Sequence, residues 1–231
     1  NGLIFIMDNL PFFDEGVIII IFNIIVKLVL LPLSIKASRA QIQMKGTEKD
    51  LQIIKEKHKD NKEEQSRKTM EYYKEKGINP FSSIFILIIQ LPILIGLYRI
   101  FLTSGLPEIN QNLLYFFVNA PDPSTVNMTF LYFINITEKS IILALLAGIT
   151  TYFQVSLSTG TQKDSSPTTG MQGDLAKAMS LQMKYFFPIL MVFIAYTISS
   201  AIALYLVTSN IFAIVQEIYI KKKYHKNVAV V

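Results

Sequence analysis

The feature that most constrains this chain is a set of apolar runs longer than a soluble core needs. A bilayer crossing takes about 20 mostly apolar residues to cover roughly 30 Å of hydrocarbon. Residues 17–35 meet that requirement with Lys27 as their charge. Residues 80–102 meet it with Arg99 near the end, and residues 141–158 are slightly short but uncharged. The run from Tyr185 to Ile220 is 36 residues long. As one helix it would reach about 54 Å, too long for one crossing. Ser199-Ser200 near its middle offers a polar turn, which divides it into spans 185–199 and 202–220. The expected fold is an all-α polytopic membrane protein with five transmembrane helices.

Composition agrees. Of the 231 residues, 51% are hydrophobic and 17% charged, against about a quarter charged in an average soluble domain. Such a chain is too apolar to be disordered. It has no cysteine, which excludes a disulfide-stapled fold, a thiolate metal site and a cysteine nucleophile. The two histidines, His58 and His225, both lie in basic segments, and no phosphate-binding loop is present. No catalytic centre, metal site, cofactor or specific nucleic-acid site is therefore expected. No small-residue cleavage site follows the first run, so it reads as a span and not a signal peptide.

Charge sets the expected orientation, because Lys and Arg concentrate in cytoplasmic loops. Segments 36–79, 159–184 and 221–231 together hold nineteen Lys and Arg, whereas 1–16 plus 103–140 hold Lys139 alone among several acids. The N-terminus is thus expected outside and the C-terminus in the cytoplasm. Segment 1–16 reads as an amphipathic piece at the outer surface. Segment 103–140, rich in aromatics and prolines, reads as an outer loop. Segment 159–184 reads as a flexible cytoplasmic loop, and 221–231 as a basic cytoplasmic tail. Asn127-Met128-Thr129 and Asn135-Ile136-Thr137 match glycosylation acceptors, which chance explains in an Asn-rich chain.

Within 36–79, Ala40, Met44, Thr47, Leu51, Ile54 and His58 recur at alternating spacings of four and three. That seam predicts a helix. A turn at 58–61 and a second helix ending at Gly77 complete an expected cytoplasmic helical hairpin.

Polar residues inside the spans are costly and mark function. Lys27 lies ten residues into its span, roughly 15 Å deep. Asn23 precedes it by one turn and Ser34 follows by seven residues, giving one polar stripe. Thr150, Thr151, Gln154 and Ser158 form another in the third long run; Gln90 lies in the second, and Thr208, Ser209, Asn210 and Gln216 in the last. The carboxylate nearest to neutralising Lys27 is Glu217, at the cytoplasmic end of the last span. A midplane cation among polar neighbours points to a hydrated groove. A snorkelling lysine with ordinary interhelical hydrogen bonds is the plainer alternative.

These segments resemble the YidC/Oxa-type membrane protein insertases over nearly the whole chain. NIIVKLVLLPLSIKASRA is similar to that family's first core span, with Lys27 where the family usually has its groove arginine. NPFSSIFILIIQLPILIGLYRIF resembles the second, including Asn79-Pro80, Gln90 and Pro92. FFPILMVFIAYTISSAIALYLVTSNIFAIVQ resembles the final hairpin, with Leu206 where relatives often have tryptophan. Gln154 matches a polar groove position. The resemblance implies an insertase and chaperone of the cell membrane, not an enzyme. Its substrate groove would use Lys27, Asn23, Ser34, Gln90, Thr150, Gln154 and Leu206. Its partners would be nascent client membrane proteins, the lipid bilayer, and also the Sec translocon and ribosome. On the residues alone, a small anion transporter or channel using Lys27 as a midplane site stays open.

Overall fold

The computed structural model describes residues 1–79, 92–93, 95–100, 109–159 and 182–228. Most of the expected second span, including Gln90, and nearly all of the expected loop 159–184 lie outside the described residues. Seven α-helices account for most of the rest: α1 (Gly2–Asn9), α2 (Glu15–Gly46), α3 (Glu48–Lys57), α4 (Lys62–Glu75), α5 (Ile141–Thr159), α6 (Phe187–Ile198) and α7 (Ser200–Val228). A two-residue antiparallel pair, β1 (Thr129–Phe130) with β2 (Ile134–Asn135), is the small departure from an all-helical chain. Among the described residues, three helices are long and apolar enough to cross a membrane: Glu15–Met44, Ile141–Ser158 and Ser200–Lys223. The apolar helix Lys184–Ile198 is shorter. The chain divides into two compact units, residues 1–29 with 93–221, and residues 30–92 with 222–231.

The larger unit is built on small residues. Ala144, Ala147, Ala195, Ala201 and Ala203 are all at most 1% exposed and share one core with Ile19, Leu204 and Tyr205. Small side chains let helix backbones approach closely where no water drives them together. Gly148 shows the same tightness, since a Cβ there would run into Val192 and come within 3.2 Å of the Pro188 carbonyl. Apolar side chains on the opposite faces remain uncovered, among them Ile142, Leu145 and Ile149 of α5 and Ile211, Val215 and Ile218 of α7. Such continuous apolar surface belongs in lipid. Helix α1 turns Leu3, Ile4 and Met7 into the core. It is thus a packed element, more than the interfacial segment its composition suggests.

The loop before α5 fixes one end of this unit. Asp14 caps α2, its Oδ1 accepting from the Val17 N–H at 2.9 Å, and the Glu15 N–H donates to the Asn127 carbonyl at 2.9 Å. The Ser200 N–H and hydroxyl both donate to the Glu138 carbonyl at 2.7 Å, and the Ala201 N–H to Ile136 at 2.9 Å. Helices α2, α5 and α7 therefore start from one end and run the same way. The two glycosylation-like motifs have a local role here. The side-chain oxygens of Asn127 and Asn135 accept the N–H of Thr129 (2.9 Å) and Thr137 (3.1 Å), closing Asx turns.

Three boundaries differ from the hydropathy reading. Helix α2 continues past residue 35 to Gly46, with Pro32 inside it. The chain becomes polar after Ser34, but a change of solvent is not a backbone stop, and KASRAQIQMK contains neither Gly nor Pro. The polar pair at 199–200 does not form a two-residue turn. Ser199 alone is extended (φ −166°, ψ 162°), and Ser200 already opens α7. The expected tail is not separate either, because α7 runs on through Lys221–Lys223 to Val228. Lysines propagate helix well and suit its negative C-terminal end.

The smaller unit contains the helical hairpin. Its seam residues Ala40, Thr47 and Leu51 are at most 9% exposed, and Met44, Ile54 and His58 are half-buried. Asn61 caps α4 by accepting the Glu64 N–H at 3.1 Å. Gly77 ends the segment at φ +65°, the left-handed conformation a C-terminal helix stop requires. Two bonds join α3 to α4: the Gln65 amide donates to the Lys55 carbonyl at 2.8 Å, and the Tyr72 hydroxyl donates to Asp50 Oδ2 at 2.5 Å.

Candidate functional site

Because α2, α5 and α7 start together, depth along each can be read from its first residue at about 1.5 Å per residue. On that scale Asn23 lies about 12 Å in, Thr150 about 14 Å, Asn210 about 15 Å, Lys27 about 18 Å and Gln154 about 20 Å. The polar side chains of three helices thus fall in one layer, although their sequence positions span most of the chain.

Two interhelical bridges hold that layer. Asn23 is fully buried and donates its amide to the Tyr205 carbonyl at 2.8 Å, joining α2 to α7. Its Oδ1 is buried without a hydrogen-bond partner among the described residues. Asn210 joins α7 to α5, its amide donating to the hydroxyls of Thr151 at 2.8 Å and Thr150 at 3.2 Å. Those hydroxyls donate onward to the Ala147 and Leu146 carbonyls, at 2.7 and 2.8 Å. Thr150 therefore serves first as a link between helices. Asn210 was visible as a polar residue of the last span, yet its sequence gives no partner, since pairing depends on which helices adjoin.

Lys27 sits one turn beyond Asn23 on the same helix face and is half-buried. Gln154 is half-buried one turn beyond Thr150, its amide 3.5 Å from the Ser158 hydroxyl. Leu206 is half-buried and packs against the core. Ser34 lies farther along α2, about 28 Å from its start, and in the smaller unit. Gln90 lies outside the described residues. Glu217 is occupied elsewhere: Lys221 reaches its carboxylate at 3.5 Å and also donates to the Leu157 carbonyl. Among the described residues no group of three or more His, Cys, Asp and Glu is placed to hold a metal ion.

The layer's half-buried cation and amide and hydroxyl groups present hydrogen-bonding partners at a depth where a span is otherwise apolar. Such groups can hold a polar or acidic segment there.

Comparison with known proteins gives the same lineage as the motifs. Residues 8–227 match the 60Kd inner membrane protein family. The chain is 31% identical over 208 residues to the membrane protein insertase YidC of Fusobacterium nucleatum, covering 90% of this chain and 86% of that protein. It is 34% identical over 219 residues to YidC of Clostridium tetani, covering 95% and 87%. It is 31% identical over 213 residues to the membrane protein insertase MisCA of Bacillus subtilis, covering 90% and 70%. Since the match runs almost from end to end and takes in every segment that carries the polar layer, the chain belongs to the YidC/Oxa family of 60Kd inner membrane proteins.

Proposed function

We propose that this protein inserts client membrane proteins into the cell membrane and helps them fold, using the polar layer of α2, α5 and α7 as part of a hydrated groove. The observation that carries the reading is the half-buried Lys27, level with Gln154 and with the Asn210–Thr150–Thr151 bridge, in a chain whose relatives are named membrane protein insertases. The anion-transport reading has no support in those names.

The mechanism is a lowering of the barrier to translocation. A short polar tail crossing about 30 Å of hydrocarbon loses its water, at several kcal/mol for each unsatisfied group. A groove open to the cytoplasm and to lipid would hydrate the tail part-way, and Lys27 would attract its acidic residues. Helix α6, with twelve residues, spans about 18 Å. Its shortness favours local thinning of the bilayer, which shortens the remaining path. Apolar client helices would then partition into lipid beside the groove.

The full reading has five spans, the N-terminus outside, the hairpin and C-terminus in the cytoplasm, and Ser34 and Gln90 as further groove residues. The charge split of nineteen Lys and Arg to one supports the orientation. The hairpin would meet nascent clients first, and the Sec translocon and ribosome would deliver them. The direct test is reconstitution of this protein alone into liposomes, followed by presentation of a single-span client. Protease protection of the client's translocated tail supports the reading. Insertion no greater than in empty liposomes overturns it.

A further inference from the structure

Three turns in the larger unit carry aromatic rings at corners where turns usually carry Gly, Pro, Asn, Asp or Ser. Each is closed by a backbone bond from the N–H of its fourth residue to the carbonyl of its first: Phe13 to Leu10 at 3.2 Å, Val118 to Tyr115 at 2.9 Å and Phe133 to Phe130 at 3.2 Å. The corners are Pro11-Phe12, Phe116-Phe117 and Leu131-Tyr132. Phe12 is 95% exposed, Phe116 100% and Tyr132 94%. The third corner also has both residues at positive φ, 51° and 69°, a conformation that Asn and Gly adopt easily and bulky side chains do not. Leucine and tyrosine stand there against that cost, which points to a gain their side chains make outside the fold.

All three turns are tied to the start of α2. Phe13 directly precedes Asp14, whose Oδ2 accepts the Leu131 N–H at 3.4 Å. Gly16 lies so close to the Phe130 ring that a Cβ there would run into it. The Tyr115 N–H donates to Asn1 Oδ1 at 2.6 Å, and at the adjoining Gly2 a Cβ would come within 3.2 Å of the Phe22 ring. Phe22 lies two turns into α2, so the 115–118 turn is tied to the helix within about 10 Å of its start.

That level decides the partner. The apolar run of α2 begins at Val17, and Ile141, Ile142 and Leu145 on the first turns of α5 are exposed. Lipid covers those faces, so the three turns stand where hydrocarbon gives way to head groups. Aromatic rings and leucine suit that layer, and the tyrosine hydroxyl keeps its contact with water there. No corner residue is charged. The flanking acids Asp8, Asp14, Asp122 and Glu138 outnumber Lys139, so charge adds no attraction to anionic lipid. The surface these turns fit is zwitterionic.

We propose that the turns 10–13, 115–118 and 130–133 insert their rings into the head-group layer of a zwitterionic leaflet and thereby fix how deep the start of α2 sits. The surface is separate from the groove, and its test uses no insertion assay, so either reading can fail alone. The chain has no tryptophan, so Phe12→Trp, Phe116→Trp and Tyr132→Trp each give a single fluorescent reporter. Each full-length variant is reconstituted at high dilution into phosphatidylcholine vesicles, so that copies of the chain do not cover one another. Lipid brominated high on its acyl chains should at least halve the emission, and lipid brominated near the chain ends should quench less. Iodide equilibrated across the membrane should quench severalfold less than it quenches free N-acetyltryptophanamide. Three separate positions keep the test decisive if one variant does not fold. Iodide quenching equal to that of the free amide at two of the positions overturns the proposal. So does protection from iodide without quenching by brominated lipid, which would place the rings against protein.

Discussion

Asn23→Leu separates a structural role for the polar layer from a functional one. Asn23 is fully buried, with its amide on the Tyr205 carbonyl at 2.8 Å and its Oδ1 unsatisfied among the described residues. An interhelical hydrogen bond in a membrane protein is worth about 0.6 kcal/mol on average and up to about 1.7. Removing an unsatisfied buried acceptor returns about 1–3 kcal/mol. Leucine has the same number and branching of side-chain heavy atoms, with bulkier methyl ends, so no cavity opens. The two terms oppose, and their difference runs from a loss of about 0.7 to a gain of about 2.4 kcal/mol. Insertion should nonetheless fall several-fold, because an amide that helps hydrate the groove has become apolar. The assay pairs detergent-induced unfolding with client insertion in proteoliposomes. Native insertion with unchanged stability would refute the reasoning, since the amide would then be dispensable to both. A loss of about 3 kcal/mol or more would refute it too, by making Asn23 a structural keystone.

Other outcomes follow from single observations. Gly148→Val should destabilise by roughly 1–3 kcal/mol through overpacking against Val192 and Pro188, and Val192→Ala in the same chain should restore much of it on detergent unfolding. The bond to Asp50 pushes the Tyr72 hydroxyl up from 10.0 to about 12. A raised folded value means that the hairpin gains from Tyr72 fully below about pH 10 and loses that gain as pH climbs through about 12. Spin labels on cysteines at Ile53 and Met70 should report a distance that broadens over that window in the native hairpin. The pH dependence should be absent in Tyr72→Phe. Because the chain has no native cysteine, single cysteines at Ser66, Thr125 and Lys223 can be probed in intact cells with an impermeant reagent. Labelling at 125 alone is expected, and labelling at 66 would overturn the orientation.

What the sequence made legible was whatever rests on hydropathy and local backbone chemistry. The break near Ser199 could be found because two adjacent polar residues stand near the middle of a 36-residue, mostly apolar run. Gly77 could be placed as a helix stop because its left-handed φ suits glycine. The end of α2 could not, because polarity changes at residue 35 while helix propensity does not. The turn at Leu131 and Tyr132 was equally hidden: both have positive φ, 51° and 69°, at residues that rarely adopt it. The polar layer was legible as residue types on three spans. Its pairings were not, because the Asn210 contacts with Thr150 and Thr151 join positions about sixty residues apart. Glu15 read as one acid among several on a polar flank, since burial of a single side chain leaves no periodic trace.

The central claim is that Lys27 supplies positive charge to a hydrated groove that receives client tails. The most direct measurement compares native protein, Lys27→Arg, Lys27→Ala and Lys27→Glu in matched liposomes, using single-span clients with acidic or neutral translocated tails. Arginine keeps the charge and reach, so Lys27→Arg should insert both clients at about the native rate. Lys27→Ala should lose the acidic-tailed client preferentially, and Lys27→Glu should lose it most, because the reversed charge repels it. Equal insertion of the acidic-tailed client by Lys27→Glu and the native protein would contradict the account, leaving Lys27 as one polar group among the others in the layer.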